Sequence, residues 1–303
     1  MNKIIEVNNL KKSYGEVRAV NGISFYVEQG KLFAFLGPNG AGKSTTIDIL
    51  CTLLKNDSGE VIIDGHRLGS EDNSIRHKIG VVFQDNMLDN LLTVKENLIT
   101  RGSMYGLSKQ AVMAAMEKAA VSTGVEDFLN RPYGKLSGGQ RRRADIARAL
   151  MSTPKILFLD EPTTGLDPQT RSNIWETIRC LQKEAALTVF LTTHYMEEAA
   201  AADYVVVIDK GLIAAKGSPT ELKQQFSSDI MKLTGNINEI VPILEAQGLT
   251  YSITNNLVTV KLSNTVDSIP ILERCHENVT NVEVLNGTMD DAFIGITGRE
   301  IRE

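Results

Sequence analysis

The chain has 303 residues, 42% of them hydrophobic and 23% charged, the balance of a globular protein with a sizeable core in one large domain or two ordinary ones. Its formal net charge of −5 removes the electrostatic reason to expect nucleic acid, which is gathered by Lys and Arg, so none is expected as a partner. No apolar run approaches the length of about 18 residues that a membrane-spanning helix needs. The opening "MNKIIEVNNLKKSYG" also lacks the uninterrupted apolar stretch of a signal peptide. A cytosolic chain is expected, with any membrane role coming through a partner. Cys51, Cys180 and Cys275 are odd in number and lack metal-ligand spacing, which predicts ordinary buried thiols.

In chain order, "IIEVNNL", "ISFYVEQG" and "KLFAFLG" are expected strands, the last a buried one running into a glycine-rich turn. A helix is predicted from Ser44 through Leu54, with Ile47, Ile49, Leu50, Leu53 and Leu54 on its packed face. "EVIIDG" and "KIGVVFQ" read as further strands. From about Thr93 to Leu150 the pattern turns helical, through "TVKENL", "QAVMAAMEKAAVSTG" and "SGGQRRRADIARAL". The basic run Arg141, Arg142 and Arg143 reads as a solvated helix face. "KILFLDEP" and "LTVFLTTH" are apolar strands separated by the helical "SNIWETIRCLQKEAA". The alternation predicts a mostly parallel α/β core with a helical insertion over about 85–150.

After Phe226 the texture changes. "DIMKLTG", "INEIVPILEAQGL", "YSITNN", "LVTVKLS", "SIPILERCHE" and "VTNVEVLNG" give the order β-α-β-β-α-β of a small ferredoxin-like α+β domain, with "TMDDAFIGITGREIRE" as a closing helix. The expected division is 1–227 and 228–303. His276 beside Cys275 offers too few ligands for a metal site.

The stretch "GPNGAGKST", residues 37–45, fits the phosphate-loop spacing G-x-x-x-x-G-K-[ST] between a strand and a helix. Gly40 and Gly42 let backbone N–H groups curl around an anion, and the following helix points its positive end there. Lys43 is expected to reach the β- and γ-phosphates and the Ser44 hydroxyl to ligate Mg²⁺. "ILFLDE" is a buried strand ending in two carboxylates. Beside a phosphate loop, Asp160 is expected to face Mg²⁺ and Glu161 to polarise the attacking water. Gln84 and His194 each follow an apolar strand. Alone, the first would be a surface amide and the second a structural imidazole; here they are candidates for Mg²⁺ and water contact and for a γ-phosphate hydrogen bond. Tyr14 is either a strand-edge aromatic or a stacking partner for adenine.

The phosphate loop, Gln84, "LSGGQ", "LDEP", "GLDP" and His194, in that order over roughly residues 3–220, closely resemble the nucleotide-binding subunit of an ATP-binding cassette (ABC) transporter. "LSGGQ" discriminates, because most other phosphate-loop enzymes lack it. The resemblance implies ATP and Mg²⁺ as cofactors and a nucleotide site drawn from Tyr14, Gly37, Pro38, Asn39, Gly40, Ala41, Gly42, Lys43, Ser44 and Thr45. It implies a head-to-tail homodimer in which Ser137, Gly138, Gly139 and Gln140 of one chain bind the γ-phosphate held by Lys43 of the other, with Asp167 at the interface. Ser44, Gln84 and Asp160 would serve the metal, and Glu161, His194 and Gln84 the hydrolysis. A separate integral membrane permease is implied, which would hold the chain on the inner face of the membrane. Its coupling helix would meet residues 85–98, where Met87, Leu88, Leu91 and Leu92 are candidate contacts.

"QDNMLDNLLTVKENL", "SGGQRRRADIARAL" and the C-terminal tail are similar to the drug-resistance exporter ATPases of the daunorubicin type, which implies an exporter. The alternative is a soluble cassette ATPase of translation or DNA repair. Paired cassettes in one chain or long coiled coils would mark those, and this sequence has neither.

Overall fold

In a computed structural model of the chain, which describes residues 2–184 and 186–298, two compact units appear, Met1–Lys216 and Gly217–Glu303. The first runs β1 (Lys3–Tyr14), β2 (Val17–Glu28), β3 (Leu32–Leu36), α1 (Lys43–Leu50), β4 (Ser58–Ile63), β5 (His66–Arg67), α2 (Asp72–Arg76) and β6 (Ile79–Val82). It continues with α3 (Val94–Ser103), α4 (Lys109–Thr123), α5 (Gly138–Leu150), β7 (Ile156–Asp160), α6 (Pro168–Glu184), β8 (Thr188–Thr193), α7 (Met196–Ala200), β9 (Tyr204–Asp209) and β10 (Leu212–Gly217).

Two sheets share one core. The antiparallel sheet, in the order β2-β1-β4-β5, is half-buried and alternates inward and outward residues. The second, in the order β10-β9-β3-β8-β7-β6, is built on parallel pairing of β6 with β7, β7 with β8, β8 with β3 and β3 with β9. Its central strands β3, β7 and β8 are buried at every residue, which is why they read as unbroken apolar runs. Phe25 of the first sheet stacks on Phe33 of the second at 5.4 Å, and Phe190 meets Phe33 at 5.0 Å and Phe158 at 5.2 Å, an aromatic seam beyond simple area burial.

The helix after the phosphate loop ends at Leu50, earlier than the expected Leu54. Thr52 takes a left-handed φ of 62°, the N–H groups of Leu53 and Leu54 fold back to the Asp48 carbonyl, and Leu53 is left exposed. The strand β9, "YVVVID", escaped the sequence reading although it is buried beside β3.

The helices α3, α4 and α5 form the insertion around their own core of Val94, Leu98, Val112, Met116, Ala144 and Met151. Each begins at a hydroxyl cap: Thr93 with Glu96 and Ser137 with Gln140 in reciprocal boxes, and Ser108 alone.

The second unit contains α8 (Pro219–Phe226), β11 (Asp229–Gly235), α9 (Ile237–Ala246), β12 (Tyr251–Thr254), β13 (Leu257–Leu262), α10 (Ser268–Cys275), β14 (Val279–Leu285) and α11 (Met289–Thr297). Its antiparallel sheet has the order β12-β13-β11-β14, the ferredoxin-like arrangement, with Ile240, Leu244, Ile271 and Cys275 of α9 and α10 packed on Met231, Leu233, Val258 and Val260. The unit starts at Gly217, ahead of the expected 228, because α8 packs on α11. Residues 299–303 of the expected closing helix, and Ala185 of the helix read at 172–186, lie outside the described residues. A chain ending at Lys216 is therefore expected to bind less of a hydrophobic dye than one ending at Ser227, in which α8 has lost α11. Equal dye fluorescence from the two truncations would contradict this boundary.

Candidate active site

Parallel pairing sets which residues meet. Leu36 pairs with Thr193 and Asp160 with Thr192, so the residues following β3, β7 and β8 leave the same edge of the sheet side by side. These are Gly37, Glu161 and His194, at the carboxyl ends of the strands where open α/β sheets bind ligands. Two backbone bonds prolong the ladder past its end: Gly37 N–H to Thr193 O at 3.2 Å and Glu161 N–H to Thr192 O at 3.2 Å.

The loop from Gly37 to Gly42 then turns into α1. Gly42 has a φ of 93°, and a Cβ there would stand 2.0 Å from the Ala19 carbonyl oxygen, so only glycine fits. Lys43, the first helical residue, is buried and folds back across the loop, donating from Nζ to the Gly37 carbonyl at 3.0 Å. The same ammonium lies 2.9 Å from Glu161 Oε1. On the other side of that carboxylate, His194 Nδ1 lies 3.2 Å from Oε2 without the alignment of a hydrogen bond. Burial pushes the Glu161 carboxyl up, but Lys43 and His194 outweigh it and hold the group below its ordinary value. Glu161 also carries a φ of 44°, a left-handed conformation that costs a non-glycine residue about 1 kcal/mol or more and that clusters at functional sites.

Asp160, one residue earlier, is buried and accepts from Thr192 Oγ1 at 2.5 Å. Burial raises its pKa and the neighbouring Glu161 charge adds to that, against the pull of Thr192, Lys43 and Arg142. A divalent cation beside it would relieve this cost. Asp160 and the exposed Ser44 hydroxyl offer the oxygen donors a hard cation prefers. Among the described residues no group of three or more His, Cys, Asp or Glu side chains could hold a metal by itself.

Gln84 is exposed, two residues beyond β6, and Tyr14 is exposed at the end of β1. Neither side chain hydrogen-bonds to the Lys43–Glu161 cluster among the described residues. What fixes Gln84 is its own carbonyl, which accepts from Arg142 Nη2 at 2.9 Å while Arg142 Nη1 donates to Phe83 O at 2.6 Å. Sequence reading missed this: Arg142 is buried, not solvated, and so is Arg148, which donates to Val81 O at 2.6 Å. Asp145 is the signal that could have found it, a carboxylate on the apolar side of α5. It is 1% exposed, accepts from Tyr133 Oη at 2.8 Å, and is pushed up by burial against the pull of Tyr133, Arg148 and Arg142. Cys180 likewise departs from expectation, being exposed while Cys51 and Cys275 are buried.

The "LSGGQ" residues form a second cluster. Ser137 caps α5, its Oγ accepting from Gln140 N–H at 3.3 Å. Gly138 and Gly139 pack against Leu166 and Thr170, where a Cβ on Gly139 would stand 2.4 Å from Thr170 Cγ2. Asp167 caps α6, accepting from the Thr170 N–H at 3.0 Å and the Thr170 hydroxyl at 2.6 Å, which hold its carboxyl below the usual range. In the segment 85–98, Met87 and Leu91 are exposed, whereas Leu88 packs on the helical core.

A parallel α/β sheet with a phosphate loop, two carboxylates and a histidine at one edge defines a nucleotide-hydrolysing cassette. The model of the family described as "ABC transporter" matches residues 20–164. The chain is 37% identical to the daunorubicin/doxorubicin resistance ATP-binding protein DrrA of Streptomyces peucetius, over 98% of this chain and 93% of that one. It is 36% identical to the Nod factor export ATP-binding protein I of Burkholderia lata, over 99% and 98%. Among solved structures, the dimeric post-hydrolysis state of the ATP-binding cassette MJ0796 bound to ADP and Pi aligns with a TM-score of 0.62 and 29% identity, over 71% of this chain and 98% of that one. The chain belongs to the ABC transporter family, as an ATP-binding subunit that hydrolyses ATP.

Proposed function

We propose that two copies of this chain pair head to tail and power export through a separate membrane permease. The observation that carries the pairing is the isolation of the "LSGGQ" cluster. Ser137 and Gly138 are exposed at a helix N-terminus whose free N–H groups and positive dipole end suit a phosphate, yet they make no hydrogen bond to their own phosphate loop among the described residues. A partner's nucleotide would supply that phosphate, and the dimeric cassette MJ0796 supports the arrangement. Drug resistance and export in the names of DrrA and the Nod factor protein support export over a soluble role in translation or DNA repair.

Within each site, Lys43 leaves Glu161 to engage the β- and γ-phosphates. Glu161, freed of its ammonium, orients and polarises the attacking water, and His194 Nδ1, buried without a hydrogen-bond partner, turns to the γ-phosphate. Ser44 and Asp160, with Gln84, would hold Mg²⁺, which would supply neutralisation of phosphate charge. Tyr14, exposed at its strand end, stacks on the adenine. Closure follows because ATP touches both chains and so favours the closed form.

No helix among the described residues is long and apolar enough to cross a membrane; in this reading the substrate path lies in the permease. Met87 and Leu91 are its docking contacts, being apolar, exposed and on the segment that follows Gln84. Affinity capture of the tagged chain from detergent-solubilised membranes should recover a polytopic protein in matching amount, and Leu91→Glu with Met87→Glu should abolish recovery without changing ATP binding. Recovery of ribosomes, DNA or the chain alone would overturn the transport reading.

A further inference from the structure

We propose that Glu198 is a positioning residue that sets His194 against Glu161, an inference that rests on the roles given to those two groups above. Glu198 lies on α7 and is 2% exposed. Its Oε1 accepts from the Thr163 hydroxyl and from Trp175 Nε1 at 3.2 Å, and its Oε2 accepts from Thr193 Oγ1 at 2.5 Å. Thr163 lies just beyond Glu161, and Thr193 immediately precedes His194. One carboxylate therefore ties the backbone that leaves β7 to the backbone that leaves β8, beyond the last ladder bonds.

The proton arrangement is determined. Thr193 Oγ1 accepts from the Tyr195 N–H at 2.9 Å, so its own hydrogen goes to Glu198. No Lys, Arg or His forms an ion pair with Glu198 among the described residues; its carboxyl oxygens take their hydrogen bonds from two hydroxyls and an indole. A carboxylate that served only packing would be replaceable by an apolar side chain. This one receives hydroxyls from both segments that carry the hydrolytic groups, and its third donor is the indole of the one tryptophan in the chain.

That indole makes the test spectroscopic as well as kinetic. In the full-length protein, Glu198→Ala should lower kcat for ATP about 100-fold, the loss that a misplacement of about 1 Å produces, with KM for ATP within about twofold. The emission maximum of Trp175 should shift in the same variant. Thr193→Val should lower kcat in the same direction and Thr193→Ser, which keeps the hydroxyl, should restore it. The Thr193 pair carries the test if Glu198→Ala does not fold. A folded Glu198→Ala protein with shifted Trp175 emission and normal kcat would overturn the inference, as would Thr193→Val and Thr193→Ser with equal turnover. Should Glu161→Gln hydrolyse normally, the hydrolytic reading itself fails; an inactive Glu161→Gln beside an active Glu198→Ala refutes the positioning role alone.

Discussion

Glu161→Gln is expected to lower ATP turnover by a factor of about 10³, within the range for loss of a group that works on a proton in the transition state. The amide keeps the size of the side chain but removes the negative charge that the site stabilises, the charge that Lys43 and His194 hold below the ordinary carboxylate value. Nucleotide binding should persist, because the phosphate loop and Lys43 are untouched. On the proposed head-to-tail pairing, in which ATP binding closes the dimer and hydrolysis reopens it, the variant should accumulate as an ATP-bound dimer. Light scattering with and without ATP, beside a phosphate-release assay, reads both effects. A variant that turned over normally, or one that stayed monomeric under saturating ATP, would remove Glu161 from the role assigned to it.

Lys43→Met should weaken ATP affinity by at least about 100-fold, the loss of a charge-assisted contact of about 3 kcal/mol. It should also destabilise the protein without nucleotide, and that second effect distinguishes this structure. With Lys43 gone, Glu161 is left buried with only His194 and the Thr164 hydroxyl, which donates to Oε2 at 3.3 Å, and breaking such an ion pair costs about 3 kcal/mol or more. The pH dependence follows from the sign of the shift. Glu161 is depressed below the ordinary glutamate value of 4.5, so its contribution is present above that value and lost as the pH falls through its folded value. In Lys43→Met the larger of the two lowering partners goes, leaving His194 alone to oppose the upward push of burial. The destabilisation should be largest near neutrality and shrink on acidification toward pH 4, measured as urea midpoints across pH. A penalty that grew on acidification would contradict the pairing.

Much of this site was legible from local pattern, because a phosphate loop, a strand ending in two carboxylates and a capped "LSGGQ" helix each depend on a few adjacent residues. The parallel core was legible for the same reason, since fully buried strands read as unbroken apolar runs. What escaped depends on long-range geometry. Arg142 looks like surface charge until α5 is seen to lie against the end of β6, where unpaired carbonyls need donors. Glu198, in "MEEAA", carries no local signal of its role, because its partners are two threonines and a tryptophan from other elements. Leu53 was assigned to a helix that a left-handed Thr52 ends first. The boundary at Gly217 depends on α8 meeting α11, helices at opposite ends of the second unit's sequence.

Strand β8 has one further consequence. Its last two residues and the one that follows face three different carboxylates in succession: Thr192 reaches Asp160, Thr193 reaches Glu198 and His194 approaches Glu161. A single inserted or deleted residue in β8 would turn every side chain to the opposite face and part all three contacts at once. A change in the length of β8 is therefore expected to cost more ATP turnover than any one substitution in it, and changes of length are better tolerated elsewhere. The Asn255–Asn256 turn, which joins antiparallel β12 and β13 in the second unit, is free to absorb them.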